Sequence, residues 1–425
     1  QVCSPSDIEK ITWEETPAEK AVFQVNFDIT TDLDLVSLNT LYYDTQLMGP
    51  AAGTATLTGV VTSGAISPEN PFLVTTLAGT TFNLANTGLG NVPLCVAGKG
   101  TAHFTDGRAV SLDPVSTALF VEPGATASFA SLDVTGTGET AATLAVTSGT
   151  VKVTGTTYVG KSGDAGTLVV SNATMNLANV ILAGDVGTAR RVTTGSIALQ
   201  DGAKVTGNTF TFTPYGPIDG ADLETVRATV SLGEGTSLEV AQFIKNDDPA
   251  GQMVFEGGRV SATGSGKTLL SLNQNGKMDF IASAGHDIIF DFPANANTFM
   301  SGDGVTARFM GEGGFARTGA GSLTFGLGKL TTLEYAGDTR FTGGTTTFST
   351  DVTFPTGSNA GDVRAEYPAS LDLNGHTVVF NTAYDNGALV NTSATKATVV
   401  VGRGDASSGF DTIPVNFSIF FVIRK

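Results

Sequence analysis

Between about Thr143 and Phe212 the chain repeats one short phrase, a polar corner holding Gly or Ala followed by apolar residues at alternate positions. It reads Ser148-Gly149-Thr150-Val151-Lys152-Val153, then Asn172-Ala173-Thr174-Met175-Asn176-Leu177, then Asp201-Gly202-Ala203-Lys204-Val205. A period of two sends alternate side chains to opposite faces of a strand. Leu144, Val146, Val151, Val153, Leu168, Val170, Ile197 and Leu199 are therefore predicted to face a core, and Lys152 and Lys204 to face solvent. Short strands recurring with turn residues between them predict an all-β chain, a parallel β-helix or β-solenoid whose successive coils stack.

The corner phrase can be followed through Gly107, Gly124, Gly149, Ala173, Gly202, Gly235, Gly258 and Gly276, in steps of about 17 to 33 residues. Stacked strands hold register while corners vary, so the longer steps are assigned to inserted corners at Pro214–Gly220 and Lys245–Gly251, both rich in turn formers. One coil buries few side chains. Each buried Val or Leu contributes roughly 1.5–3 kcal/mol, which offsets the ordering entropy of a coil only when neighbours cover it above and below.

Three sections follow from this pattern. Residues 1–100 carry dense local charge, the single Trp13 and a half-buried strand at Phe23–Ile29, and are read as an atypical N-terminal cap with the first strands. Residues 101–284 are the β-solenoid repeats. Residues 285–425 keep the strands but add Phe290, Phe292, Phe299, Phe309, Phe315, Phe325, Phe341, Phe348 and Phe354, which are expected to fill a core, alternatively as stacked ladders. This section ends in an apolar edge strand, and Phe417, Ile419, Phe420, Phe421, Val422 and Ile423 are the candidates for self-association there.

Composition agrees with coils and narrows the setting. Gly is 53 of 425 residues, aromatics are 8% and charged residues 15%, a balance that suits pleated surfaces and tight corners. The net charge of −17, from 40 acidic and 23 basic residues, repels phosphate backbones, so nucleic acid and anionic membranes are not expected partners. No run approaches the ~20 apolar residues of a membrane-spanning helix. Cys3 and Cys95 are too far apart for a metal or redox motif and are expected to form one disulfide, worth roughly 4 kcal/mol by loop entropy; two unpaired thiols are the alternative. Gln1 is not an initiator Met, which fits a removed signal peptide and a secreted or cell-surface chain.

Candidate chemistry is sparse. Asp28, Asp32 and Asp34, the pair Asp247 and Asp248, and the pair Asp287 and Asp291 are the carboxylate groupings that could serve cation binding or hydrolysis, with solvated turn carboxylates as the simpler account. His103, His286 and His376 lack metal-ligand spacing, and no GxSxG elbow or dinucleotide fingerprint occurs. Gly264-Ser265-Gly266-Lys267-Thr268 has Ser261 where a phosphate loop needs Gly. Arg403-Gly404-Asp405 forms an integrin-type tripeptide, and Asn172, Asn391 and Asn416 open N-glycosylation sequons. No catalytic residue, metal site or cofactor is assigned.

Arg317-Thr318-Gly319-Ala320-Gly321-Ser322-Leu323-Thr324-Phe325, followed by Arg340-Phe341-Thr342-Gly343-Gly344-Thr345-Thr346-Thr347-Phe348, resembles the autotransporter-associated β-strand repeat of bacterial surface passenger domains. Ser370–Phe380 is similar to segments that accompany such repeats. The resemblance implies a right-handed parallel β-helix used for surface display, adhesion, aggregation or structural spacing, and brings no catalytic residues with it. The expected function is a non-catalytic secreted or cell-surface β-solenoid, acting as adhesin, stalk or self-assembling component of an extracellular layer or filament. Its partners would be further copies, other surface proteins or glycans. The alternatives are a polysaccharide-acting β-helix enzyme or carbohydrate-binding module, and a fragment of a larger passenger or phage-like fibre.

Overall fold

A computed structural model describes residues 25–28, 33–34 and, with gaps, 45–401; the larger gaps are 59–71, 86–93, 110–116, 185–192, 213–227, 246–250, 326–331 and 356–361. The described residues are all-β, with no helix among them, and their paired strands run parallel in the stacked coils of a β-solenoid. The chain divides into two compact units, Gln1–Val205 and Thr206–Lys425.

In the first unit the coils supply strands to two ladders and, from Gly107 on, to a third in which Gly107–Ala109, Leu132–Val134 and the second half of Thr150–Lys161 pair. One ladder begins with Val25–Asp28, Thr45–Met48, Phe72–Thr76 and Leu94–Gly98, and continues through Thr117–Val121, Ala142–Val146, Gly166–Ser171 and Gly195–Gln200. The other includes Thr54–Thr58, Thr81–Ala85, Thr101–Phe104, Thr126–Phe129, Thr150–Lys161 and Thr174–Gly184. Coiling is thus established by Thr45, well before Thr101: Thr54–Leu57 and Thr81–Leu84 carry the same alternation as later coils, each behind a corner turned by a positive-φ glycine, Gly53 and Gly79. The first 24 residues, the body of the expected cap, lie outside the described residues.

All eight alternating positions predicted to face inward are buried, at 4% exposure or less, and Lys152 and Lys204 are exposed. The inward columns fit by size. Ala55, Phe82, Ala102, Ala127, Val151 and Met175 lie in register on successive rungs, a Phe flanked by alanines. In the column beside it, the Phe104 and Phe129 rings stack at 5.0 Å.

Corners turn where a left-handed residue reverses the chain: Gly124, Gly149, Gly202 and Gly235 all have positive φ. At the Ala173 corner Asn172 takes that conformation with φ 49°, as asparagine tolerates. Two expected corners shift. Gly257, not Gly258, has positive φ, and Gly107 begins the strand Gly107–Ala109.

The second unit carries three strands per coil. One ladder runs through Ala228–Leu232, Gly251–Phe255, Lys277–Ala282, Thr306–Gly311 and Thr332–Tyr335. A second passes through Arg259–Ala262, Ile288–Asp291, Phe315–Thr318, Thr339–Phe341 and Val363–Ala365. A third passes through Asn297–Ser301, Leu323–Phe325, Thr345–Phe348 and Ser370–Asp372. Strand Thr332–Tyr335 lies between the two halves of the passenger-like phrase, so that phrase spans one full coil. The nine phenylalanines named from the sequence are all buried, at 1% exposure or less. All of them but Phe292 pack as a continuous network: Phe290, for example, meets Phe280 at 5.5 Å, Phe299 at 5.1 Å and Phe315 at 6.3 Å between ring centroids.

Candidate functional site

A parallel stack brings together residues one coil apart, and the polar side chains of this protein find partners there. Asp279 accepts two hydrogen bonds from Arg308 at 2.7 and 2.6 Å across paired rungs. Lys161 Nζ lies 2.5 Å from Asp133 Oδ2 and 4.7 Å from the centre of the Tyr158 ring. Arg364 reaches Asp338 at 3.1 Å and Asp362 at 3.6 Å. Partly exposed pairs of this kind contribute little each, about 0–1 kcal/mol, and serve mainly to offset like charges stacked in register, such as Arg340 above Arg364.

The candidate carboxylates follow the same rule. Asp287 Oδ1 accepts the Gly314 N–H at 3.0 Å while its other oxygen accepts from Arg340. Asp291 accepts from the Thr318 hydroxyl at 2.9 Å and the Ser261 hydroxyl at 3.3 Å. The two carboxylates, four residues apart, are thus each held by their own neighbours. Asp28 ends strand Val25–Asp28 opposite Met48, and Asp34 pairs with Thr58. Asp32, Asp247 and Asp248 lie outside the described residues.

The histidines are dispersed. His103 Nδ1 sits 3.1 Å from Ser128 Oγ on the next rung, and His376 Nδ1 is 3.4 Å from Asp351. His286 is half-buried at a turn, where its N–H donates to Ser283 O at 3.0 Å. Among the described residues no three of His, Cys, Asp and Glu gather as a metal ion would require.

What the first unit does present is a regular outward face. Thr54, Thr81, Thr101, Thr126, Thr150 and Thr174 stand in register on six successive rungs. Two residues along, Thr56, Asn83, His103, Ser128, Lys152 and Asn176 form a second column on the same face. Rungs about 4.8 Å apart make this a ruled array of hydroxyls, amides and two basic side chains. Some of these groups already pair within the face: Asn83 donates to the Thr56 hydroxyl at 3.5 Å, and Ser128 is buried against His103.

Three ionisable groups are shifted chiefly by loss of water, Tyr335 and Arg317 inside the core and Cys95 half-buried. Cys95, a free thiol on strand Leu94–Gly98, is pushed up by burial and then by the charge of Glu122. The Tyr335 phenol is pushed well above its usual value by burial, against the hydrogen bond it shares with Thr339. Arg317 has no exposed surface, and burial pulls its guanidinium down to about 10, with Asp291 acting in the opposite direction. No motif names Tyr335, and Arg317 enters only as the first residue of the passenger-like phrase, with no role of its own. The signal for Arg317 was present nonetheless, since alternation from Phe315 places it on the inward phase of its strand.

Cys3 lies outside the described residues, and among the described ones Cys95 has no disulfide partner. The inserted corner Pro214–Gly220, Arg403-Gly404-Asp405, the sequon at Asn416 and the self-association candidates Phe417, Ile419, Phe420, Phe421, Val422 and Ile423 also lie outside the described residues. Of the two described sequons, Asn172 is exposed at its corner, whereas Asn391 uses its amide, accepting from Gly375 N–H at 2.8 Å and donating to Thr395 O at 2.9 Å. No helix among the described residues is long and apolar enough to cross a membrane. Comparison with family models, curated proteins and solved structures returned no match.

Proposed function

We propose that this protein is a non-catalytic β-solenoid of the cell exterior, secreted or displayed, that works as an adhesin, stalk or self-assembling structural component. The observation that carries the reading is the use of its charged groups. Asp133, Asp279, Asp287, Asp291 and Asp338 are each engaged by a neighbouring side chain or backbone amide within the stack, while the outward face repeats the same polar elements from rung to rung. Catalysis of glycan cleavage draws on the opposite arrangement, carboxylates converging on one bond with a cation or base beside them. A net charge of −17 supports a surface that stays dissolved while it is displayed. The passenger-like phrases at Arg317–Phe325 and Arg340–Phe348 support the same setting.

Two measurements test this. Incubation with a panel of acidic and neutral polysaccharides, read by reducing-end release, is expected to show no turnover; calcium-dependent depolymerisation would move the assignment to a polysaccharide-acting enzyme. Light scattering of the full chain against a chain lacking residues 411–425 is expected to show a larger species only with the apolar run Phe417–Ile423 present. An unchanged assembly state would remove self-assembly through that run.

A further inference from the structure

Arg317 occupies a place that alternation assigns to an apolar side chain. Read from rung to rung, its column is Val260, Phe290, Arg317, Phe341 and Ala365. A guanidinium that loses its water there needs replacement acceptors, and Nη1 and Nη2 find them in backbone corners, while the Nε N–H has no acceptor among the described residues. Nη1 donates to Gly319 O at 2.6 Å and to Gly343 O, and Nη2 donates to Gly321 O. Gly319 and Gly321 belong to the corner following its own strand, and Gly343 to the equivalent corner one coil later. The planar cation also lies over the Phe292 ring, with Cζ 5.7 Å from its centre. Among the described residues no carboxylate bonds this guanidinium; Asp291, whose charge acts on it, accepts instead from Thr318 and Ser261.

The glycines of the two phrases have their reason in this arrangement. Gly319 and Gly344 hold positive φ, at 88° and 57°. A Cβ on Gly344 would lie 2.8 Å from Arg317 Nη2, and one on Gly343 would lie 2.7 Å from Gly319 O. Side chains at either place would close the space in which two corners approach one cation.

We infer that the corners at Gly319–Gly321 and Gly343–Gly344 form an internal cup of three carbonyl oxygens whose ligand class is a planar guanidinium, and that the Arg317 side chain is its built-in occupant. The fork geometry matters. Five N–H donors in one plane can meet carbonyls from two corners at once, whereas a lysine ammonium presents a compact charge on a flexible stem. The cup ties each corner to the next, holding successive coils in rotational register. An emptied cup retains its oxygens and takes a small guanidinium from solution. This inference is independent of the function proposed above.

The test uses the full chain with Arg317→Ala, Arg317→Met and Arg317→Lys, and hydrogen exchange read over residues 315–325 and 339–348. Arg317→Ala is expected to raise exchange there at least tenfold while residues 142–200 keep wild-type rates. Millimolar methylguanidinium is expected to reverse most of that rise, and urea at the same concentration to reverse none. Arg317→Met, which refills the volume without donors, is expected to remain as open as the alanine variant, and Arg317→Lys to recover only part of the protection. Wild-type exchange in Arg317→Met, or equal effects of methylguanidinium and urea, would overturn the inference. Should the variants not fold, the wild-type chain decides alone through its arginine side-chain N–H signals. One guanidinium is expected to exchange at least a hundredfold more slowly than the exposed arginines, and a set that all exchange alike would overturn the inference too.

Discussion

Phe290→Ala is the change that most directly probes how the second unit is held together. Phe290 is fully buried and its ring meets Phe255 at 5.8 Å, Phe280 at 5.5 Å, Phe299 at 5.1 Å and Phe315 at 6.3 Å. These neighbours come from all three ladders, so the ring joins the faces of adjacent coils. A buried Phe removes roughly 150–250 Å² from water, which at about 25 cal/mol per Å² gives about 4–6 kcal/mol as an upper estimate. Measured truncations of buried Phe to Ala cost about 3–5 kcal/mol, cavity included. The expected loss is therefore about 4 kcal/mol, a shift of about a thousandfold in the open population at 1.4 kcal/mol per decade. Urea denaturation reports the loss, and hydrogen exchange locates it in rungs 251–255, 277–282, 288–291 and 315–318. Phe290→Leu, which keeps most of the volume, is expected to cost less than about 1.5 kcal/mol. A loss below about 1.5 kcal/mol for the alanine variant would refute the argument, because it would mean that neighbouring coils collapse into the gap and that the ring network does not set the stability of the stack.

Two further expectations rest on local features. Burial raises the Tyr335 phenol above its ordinary value of 10.0. The folded chain thus keeps a proton that the unfolded chain gives up, and stability is full below pH ~10 and falls as pH rises beyond it. Arg317, lowered from 12.5 to about 10, acts in the opposite sense over that range, so the Tyr335 contribution is read as the difference between wild type and Tyr335→Phe in alkaline urea titrations. The variant should lose about 1 kcal/mol at neutral pH, where Thr339 loses its partner, and should decline less steeply above pH 10; parallel curves would contradict the assignment. Among corner glycines, Gly149 and Gly202 have nearly the same φ, 67° and 71°, yet a Cβ would meet Val121 Cγ1 at 2.6 Å at the first and nothing within 4 Å at the second. Thermal unfolding should show Gly202→Ala costing about 1 kcal/mol, the left-handed penalty, and Gly149→Ala at least about 1 kcal/mol more. Equal costs would show that φ alone governs these corners, and the reverse order would contradict the packing argument outright.

Alternation and corner residues determined by themselves that this chain is all-β, that its strands stack as parallel coils, and that Leu144, Val146, Val151, Val153, Leu168, Val170, Ile197 and Leu199 form its interior. Those properties are local: a period of two sorts side chains by the pleat of a single strand, whatever lies beside it. The tertiary structure decided matters that depend on register. Which glycine turns a corner, Gly257 and not Gly258, depends on where the preceding rung ends. Where Asp279 finds Arg308, or Asp287 finds Arg340, depends on the length of the intervening corner, which alternation does not encode. Arg317 shows the division most clearly. Its phase within Phe315–Thr318 already pointed it inward, but the carbonyls that make a buried cation tolerable come from two corners, and only the stacking of one coil on the next brings them to the same guanidinium.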